Sequence, residues 1–250
     1  VSLQGRRIVV TRAPHQAGRL ADLLRGRGAE PLLFPCIDIA PPDDPTPLDN
    51  AIQTVSAFDW LLVTSTNTVA ALRRRFDDLG LSFDMLALVQ VAAVGTKTAS
   101  YARKQLGVTV EIVPEDQTAE GLAAAMPDVI GQRVLLPQSD IARDVLGQLL
   151  VKAGADVTQV VAYQTVTGLG GVDAAAVHSA DALTFTSPST VYGFVERMGG
   201  VVDLPAACIG PITEKAAVEA GFTQVVTPTY NYNLTAMLDV LEQSLLEKTS

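Results

Sequence analysis

The 250-residue chain is 48% hydrophobic, enough for one large or two ordinary cores, yet no apolar run approaches the roughly 18 residues of a membrane-spanning helix. Its net charge of −9 argues against a nucleic-acid groove, which needs a basic face. Cys36 and Cys208 lie far apart in apolar contexts and read as buried thiols of a reducing compartment, and neither they nor His15 and His178 have metal-ligand spacing. The opening VSLQGRRIVVTRAP lacks the apolar core of a secretory signal, so a folded cytoplasmic protein is expected.

In chain order, residues 7–10 read as a buried strand. The turn Thr11-Arg12-Ala13-Pro14 follows, then a helix with Ala17, Leu20 and Leu24 inward, ended by Gly26 and Gly28. Residues 31–39 read as one strand and the proline-rich, acidic residues 40–47 as a connector. A helix over 48–55 leads to an apolar run, the hydroxyl turn Thr64-Ser65-Thr66-Asn67, and a helix burying Val69, Leu72 and Phe76. Arg73-Arg74-Arg75 on that helix read as a solvated face. Residues 90–94 form a strand, Gly95-Thr96-Lys97-Thr98 a turn, and Ala99, Ala102 and Leu106 the inner side of the next helix. A short strand is predicted at 108–113, and Thr118 opens a helix reaching Met126.

The second half repeats the plan. A strand at 133–136 runs into Pro137-Gln138-Ser139-Asp140, and Ile141, Val145 and Leu149 are the expected inner face of a helix. Residues 157–166 read as a long strand, and 168–171 (GLGG) as a flexible joint without dinucleotide-loop spacing. Residues 182–185 form a strand, Thr186-Ser187-Pro188-Ser189 a hydroxyl turn, and Val191, Phe194, Val195 and Met198 one helix face. Gly210-Pro211 make another turn, 224–226 a strand, and Leu234, Leu238, Leu241 and Leu245 the apolar stripe of a terminal helix, read as core rather than as a dimer seam.

The two halves match residue by residue. Asp59 corresponds to Asp181, Thr64-Ser65 to Thr186-Ser187, residues 5–10 to 131–136, Gly28-Ala29 to Gly154-Ala155, and residues 93–98 to 208–213. So long a period means two similar domains rather than a solenoid. Strands alternating with helices imply parallel sheets covered on both faces, with ligands beyond the carboxyl ends of the strands. Those ends are rich in Ser, Thr, Gly and Gln and poor in His, Asp and Glu. Paired-carboxylate hydrolysis and a Ser-His-Asp triad are disfavoured; a polar anion held by backbone donors and helix N-termini fits better. A two-lobed small-anion-binding or sensor protein without catalysis would share these features.

Six blocks resemble the uroporphyrinogen-III synthase family: VTRAP with Gln16 two residues on, VTSTN (63–67), AVGTKTA (93–99), VAYQTV (161–166), TFTSPSTV (184–191) and CIGPITEKA (208–216). The resemblance implies two similar parallel-sheet α/β lobes joined by a two-stranded connector, with a cleft between them. One lobe would be residues 1–36 plus 166–250, the other 38–164. It implies cyclisation of hydroxymethylbilane to uroporphyrinogen III with loss of water and inversion of ring D, without metal or cofactor, in tetrapyrrole (haem) biosynthesis. A monomer taking its substrate by transient hand-over from hydroxymethylbilane synthase is expected, with no nucleic-acid or membrane partner. Tyr163 matches the family tyrosine and is the expected catalytic residue. Arg12, Thr64, Ser65, Thr96, Gln138, Ser139, Thr186, Ser187, Ser189 and Thr213 are the expected carboxylate holders. Basic residues near these turns are few: Arg12, Lys97 and Arg143.

Overall fold

The structure, a computed structural model, describes residues 3–247. Its first half contains β1 (Arg7–Val10), α1 (Pro14–Gly26), β2 (Glu30–Leu33), β3 (Ile37–Ala40), α2 (Thr46–Gln53), β4 (Trp60–Val63), α3 (Thr66–Asp78), β5 (Gln90–Ala93), α4 (Thr96–Leu106) and α5 (Ala119–Ala125). The second half adds β6 (Arg133–Ser139), α6 (Val145–Lys152), β7 (Asp156–Thr167), α7 (Ala174–His178), β8 (Ala182–Phe185), α8 (Pro188–Met198), β9 (Ala206–Cys208), α9 (Pro211–Glu219), β10 (Val225–Val226) and α10 (Leu234–Glu247). The chain divides into two compact units: residues up to Asp38 with those from Val166 onward, and Ile39–Thr165. Among the described residues no helix is long and apolar enough to cross a membrane.

The first unit holds a sheet of order β10-β9-β8-β1-β2, parallel at every pairing. The second has the order β3-β7-β6-β4-β5, with β7-β6, β6-β4 and β4-β5 parallel. Counted from β1, the first follows the doubly wound order 2-1-3-4-5; counted from β6, the second follows 2-1-3-4, with β3 added at the β7 edge. The fifth strand of the second unit, expected at 108–113, shrinks to one bridge between Ile112 and Ala92. The Val110 carbonyl is taken by the Arg103 guanidinium at 3.2 Å, and Pro114 has no N–H with which to extend the ladder.

The duplication is visible bond by bond. Gly5 N–H donates to the Gly28 carbonyl at 2.9 Å, and Gly131 N–H to that of Gly154 at 2.8 Å. Arg7 N–H donates to Asp181 Oδ2, and Arg133 N–H to Asp59 Oδ2, each at 2.7 Å. An N-terminal strand thus pairs with a C-terminal aspartate in one unit and the reverse holds in the other, so the halves have exchanged their first β-α-β segments. Successive strand residues face opposite ways: Val9 packs with Phe185, Phe194 and Phe222, while Ile8 and Val10 pack with Leu20, Leu24, Leu238 and Leu241. Phe185 meets Phe194 and Phe222 edge-to-face at 5.5 and 5.2 Å.

Several expectations shift. The strand at 31–39 is two strands in different sheets, broken at Phe34-Pro35-Cys36 because Pro35 has no N–H for a ladder. Residues 168–171 are no loose joint: a Cβ on Gly168 would stand 2.3 Å from the Pro35 carbonyl oxygen, and Val172 N–H donates to Leu33 at 2.8 Å. The helix over 48–55 begins instead at Thr46, whose N–H is held by Asp44 at 2.9 Å. α6 begins at Val145 and buries Leu146 and Leu150, whereas Ile141 is exposed in the turn where Asp140 binds Thr165 N–H at 3.0 Å. Of the three arginines, only Arg74 is a solvated residue; Arg75 forks onto Asp49 at 2.6 and 2.8 Å, and Arg73 lies over Phe83.

Gly193, inside α8, packs against the Cys36 carbonyl, where a Cβ would lie only 2.3 Å from the oxygen. Gly193→Ala should therefore destabilise by about 2 kcal/mol in urea unfolding, against the roughly 1 kcal/mol that helix propensity alone would add. Both cysteines are free and buried, and burial pushes both thiols up to about 12. The folded thiols stay protonated, whereas unfolded ones ionise near about 8.5. Stability from this source is present below that pH and falls as pH rises through the window towards 12. A disulfide reagent at pH 8 should label neither cysteine in the native protein and both after denaturation.

Candidate functional site

In a 2-1-3-4-5 sheet the crevice opens where the chain reverses direction, beyond the carboxyl ends of strands 1 and 3. In the first unit those are β1 and β8. Thr11 is buried and donates to the Thr184 carbonyl at 2.7 Å, while Thr184 donates to that of Val9, also at 2.7 Å, so the two strand ends are locked together. Arg12 follows at once. Its Nη2 donates to Gln16 Oε1 at 3.0 Å, but its Nε is buried with no hydrogen-bond partner among the described residues. Burial first, and Arg19 second, lower its pKa from the ordinary arginine value.

Across from it Ser187 caps α8. Its Oγ accepts from Thr190 N–H, and the Thr190 hydroxyl receives Ser187 N–H, each at 3.3 Å. Ser189 lies 2.8 Å from the same Oγ, and Thr186 is half-buried beside it. The positive end of the helix dipole and a set of hydroxyls thus stand at the same sheet edge as the Arg12 guanidinium, whose Nε has no hydrogen-bond partner among the described residues.

In the second unit the corresponding strands are β6 and β4. Ser65 caps α3, accepting from Thr68 N–H at 3.0 Å. The Tyr163 hydroxyl, on β7, shares a hydrogen bond with the same Ser65 Oγ at 3.2 Å. The tyrosine is only 8% exposed, so packing fixes its direction. A register shift between Gln138 and Ser139 re-aims the end of β6. Thr64, Gln138 and Arg143 line a concavity of ≈ 180 Å³, room for a substituent but short of the roughly 300 Å³ of a whole-ligand pocket. Ser139 Oγ donates to Asp140 Oδ1 at 2.9 Å and stands 3.4 Å from Thr165 Oγ1.

The structure therefore gathers Arg12, Thr186, Ser187 and Ser189 at one switch point and Thr64, Ser65, Gln138, Ser139 and Tyr163 around the other. Thr96 and Thr213 stand one strand further out. Thr96 N–H is already taken by Gln117 Oε1 at 3.1 Å, and Thr213 is buried in the first turn of α9 with its N–H on the Gly210 carbonyl. Gln117, Thr165 and the loop 227–233 were not singled out from the sequence. Matching the segments after the fifth strand of each repeat would have found Gln117 and Tyr232. A second buried polar atom without a hydrogen-bond partner among the described residues, Thr227 Oγ1, lies at the end of β10. No three His, Cys, Asp or Glu side chains among the described residues are placed to hold a metal.

Two exchanged doubly wound units, whose carboxyl edges carry capped helix N-termini, hydroxyls and the half-buried Arg12, define a two-unit α/β protein. The profile of uroporphyrinogen-III synthase HemD matches residues 18–239, and the chain belongs to the uroporphyrinogen-III synthase family, cyclising lyases of porphyrin biosynthesis. The uroporphyrinogen-III synthase of Synechococcus elongatus is 32% identical, with 96% of each chain covered. The porphyrin biosynthesis protein HemD of Ruminiclostridium josui is also 32% identical over 90% of this chain, which spans 46% of that protein's length. A crystal structure of a mutant uroporphyrinogen III synthase from Thermus thermophilus shares the fold, with a TM-score of 0.66 at 22% identity over 98% of this chain and all of that one. Family membership disfavours the alternative of an anion sensor without chemistry.

Proposed function

We propose that the protein converts hydroxymethylbilane into uroporphyrinogen III. The observation that carries this reading is the Tyr163 hydroxyl, held by a buried ring 3.2 Å from the Ser65 hydroxyl at the N-terminus of α3. A phenol so placed donates a proton or hydrogen bond to the hydroxyl leaving ring A, which departs as water. The azafulvene cation left behind is attacked by the substituted carbon of ring D. The spiro intermediate breaks and recloses with ring D inverted. Ser65 and Ser187 at two helix N-termini, Arg12, and the Thr64–Gln138–Arg143 concavity hold carboxylates of the eight that the bilane carries. Thr186, Ser189 and Ser139 add hydroxyl donors. Thr96 takes a carboxylate only if Gln117 moves aside, and Thr213 acts by shaping the first turn of α9.

Holding the bilane folded is the larger part of the task, because ring D must present its substituted carbon before its free position closes the ring. On the same reading the protein works as a cytoplasmic monomer supplied by hydroxymethylbilane synthase. The buried thiols suit a reducing compartment, and Leu238, Leu241 and Leu245 are spent in the protein's own core. Incubation with hydroxymethylbilane, followed by oxidation and separation of the porphyrin isomers, is expected to give the type III isomer. A type I product indistinguishable from the enzyme-free control would refute the assignment.

A further inference from the structure

At one pair of corresponding points the duplicated units carry different side-chain chemistry. Gly95 precedes α4 in the second unit and Gly210 precedes α9 in the first, and each is covered by the residue just before the cap of the helix that follows these in the chain, α5 in the second unit and α10 in the first. In the second unit that residue is Gln117, followed by Thr118, which caps α5 by accepting from Gly121 N–H at 2.9 Å. In the first it is Tyr232, followed by Asn233, which accepts from Ala236 N–H at 3.0 Å at the start of α10. A Cβ on Gly95 would stand 2.7 Å from Gln117 Oε1, and one on Gly210 would stand 3.3 Å from the nearest Tyr232 ring carbon.

The chemistry of each cover follows from the residue after the glycine. Thr96 has an N–H, and the Gln117 amide oxygen accepts from it. Pro211 has none, so an amide there would have nothing to bind, and an aromatic ring stands in its place. Gln117 is thus satisfied within its own unit. Tyr232 is not used up in the same way: its hydroxyl is tied to the Thr229 carbonyl at 3.3 Å, yet the residue remains 55% exposed. The loop that presents it contains Asn231 at φ 57°, the one non-glycine residue with positive φ among the described residues, and starts at the unpartnered Thr227 hydroxyl.

We propose that the open side of the Tyr232 ring receives a pyrrole ring of the bilane at the carboxyl edge of the first unit, making Tyr232 a substrate-positioning residue. The proposal rests on the cyclase reading above. An aromatic face held by a fixed hydroxyl loses little freedom when a flat, electron-rich ring stacks on it. The Gln117 side of the duplication, with no such face, takes only polar groups.

Steady-state kinetics of Tyr232→Ala and Tyr232→Phe with hydroxymethylbilane test this. Stacking of ordinary strength predicts that Ala raises KM about five- to tenfold with kcat changed less than about twofold, and that Phe keeps KM within about twofold because the ring, not the hydroxyl, binds. An unchanged KM in Tyr232→Ala, or a loss in Phe equal to that in Ala, overturns the role. Should the Ala variant fail to fold, Tyr232→Trp decides. It adds an exposed indole to a chain whose one tryptophan, Trp60, is buried, and its emission should change saturably with uroporphyrinogen III. An emission that does not respond overturns the role equally. A wild-type protein that makes no type III isomer refutes the cyclase reading itself, whereas an active wild type with an indifferent Tyr232→Ala refutes only this inference.

Discussion

Tyr163→Phe is expected to lower kcat for hydroxymethylbilane about hundredfold, the lower range for a lost proton donor, while KM stays within about threefold. The change removes one oxygen from a buried ring, so the packing of β7 against the second unit's core survives and the unfolding midpoint should hold. Ser65→Ala separates two roles for the phenol. The Ser65 hydroxyl caps α3 through Thr68 N–H and also meets the phenol, so its loss should lower stability by about 1 kcal/mol. If the phenol acts on the departing hydroxyl, kcat in Ser65→Ala falls far less than in Tyr163→Phe. Equal losses in the two variants would mean that the pair acts only as a positioned unit. Unchanged turnover in Tyr163→Phe would remove the tyrosine from the chemistry.

Arg12→Met should show function and stability moving in opposite directions. The guanidinium has a buried Nε without a hydrogen-bond partner among the described residues, and burial already weakens its hold on the proton. A buried donor left unmade is a standing cost to the free protein, and a substrate carboxylate would remove it. Charge-assisted hydrogen bonds of roughly 1.5–3 kcal/mol convert to a rise in KM of about ten- to a hundredfold when the arginine is lost. Methionine keeps the apolar stem without the charge, so the urea midpoint should stay level or rise. A variant with normal KM would show that the orphaned nitrogen has nothing to do with substrate. One that loses activity only by unfolding would show that Arg12 is structural.

Much of this was legible in the sequence because the signals were local and repeated. The helix faces Ala17-Leu20-Leu24, Val69-Leu72-Phe76 and Ala99-Ala102-Leu106 are buried as their spacing predicts, since i, i+3 and i+4 positions share a side whatever lies opposite. Two parallel-sheet α/β bodies followed from alternation, and the duplication from matched glycines and aspartates. What failed was set by contacts distant in sequence. Nothing local says that Asp140 will bind Thr165 N–H and hold residues 140–144 out of a helix, or that Arg103 will take the carbonyl of Val110. The GLGG segment looked flexible by composition, but the Pro35 and Leu33 carbonyls come too close to Gly168 and Gly171 for a side chain, and Gly170 sits at a positive φ of 76°. Of the site residues, the switch-point turns were readable because hydroxyl caps announce themselves. Gln117 and Tyr232 were not, since each matters only through a glycine more than twenty positions away.

The claim on which the rest depends is that substrate sits at the carboxyl ends of β1 and β8 and of β6 and β4. Amide NMR spectra of the isotopically labelled protein, titrated with uroporphyrinogen III, address it directly. The largest shifts are expected at Thr11-Arg12 and 186–189, and at 64–67 and 138–139, with the amino ends of the same strands unmoved. Shifts gathered instead around Arg7, Asp59, Arg133 and Asp181, at the opposite ends, would contradict it.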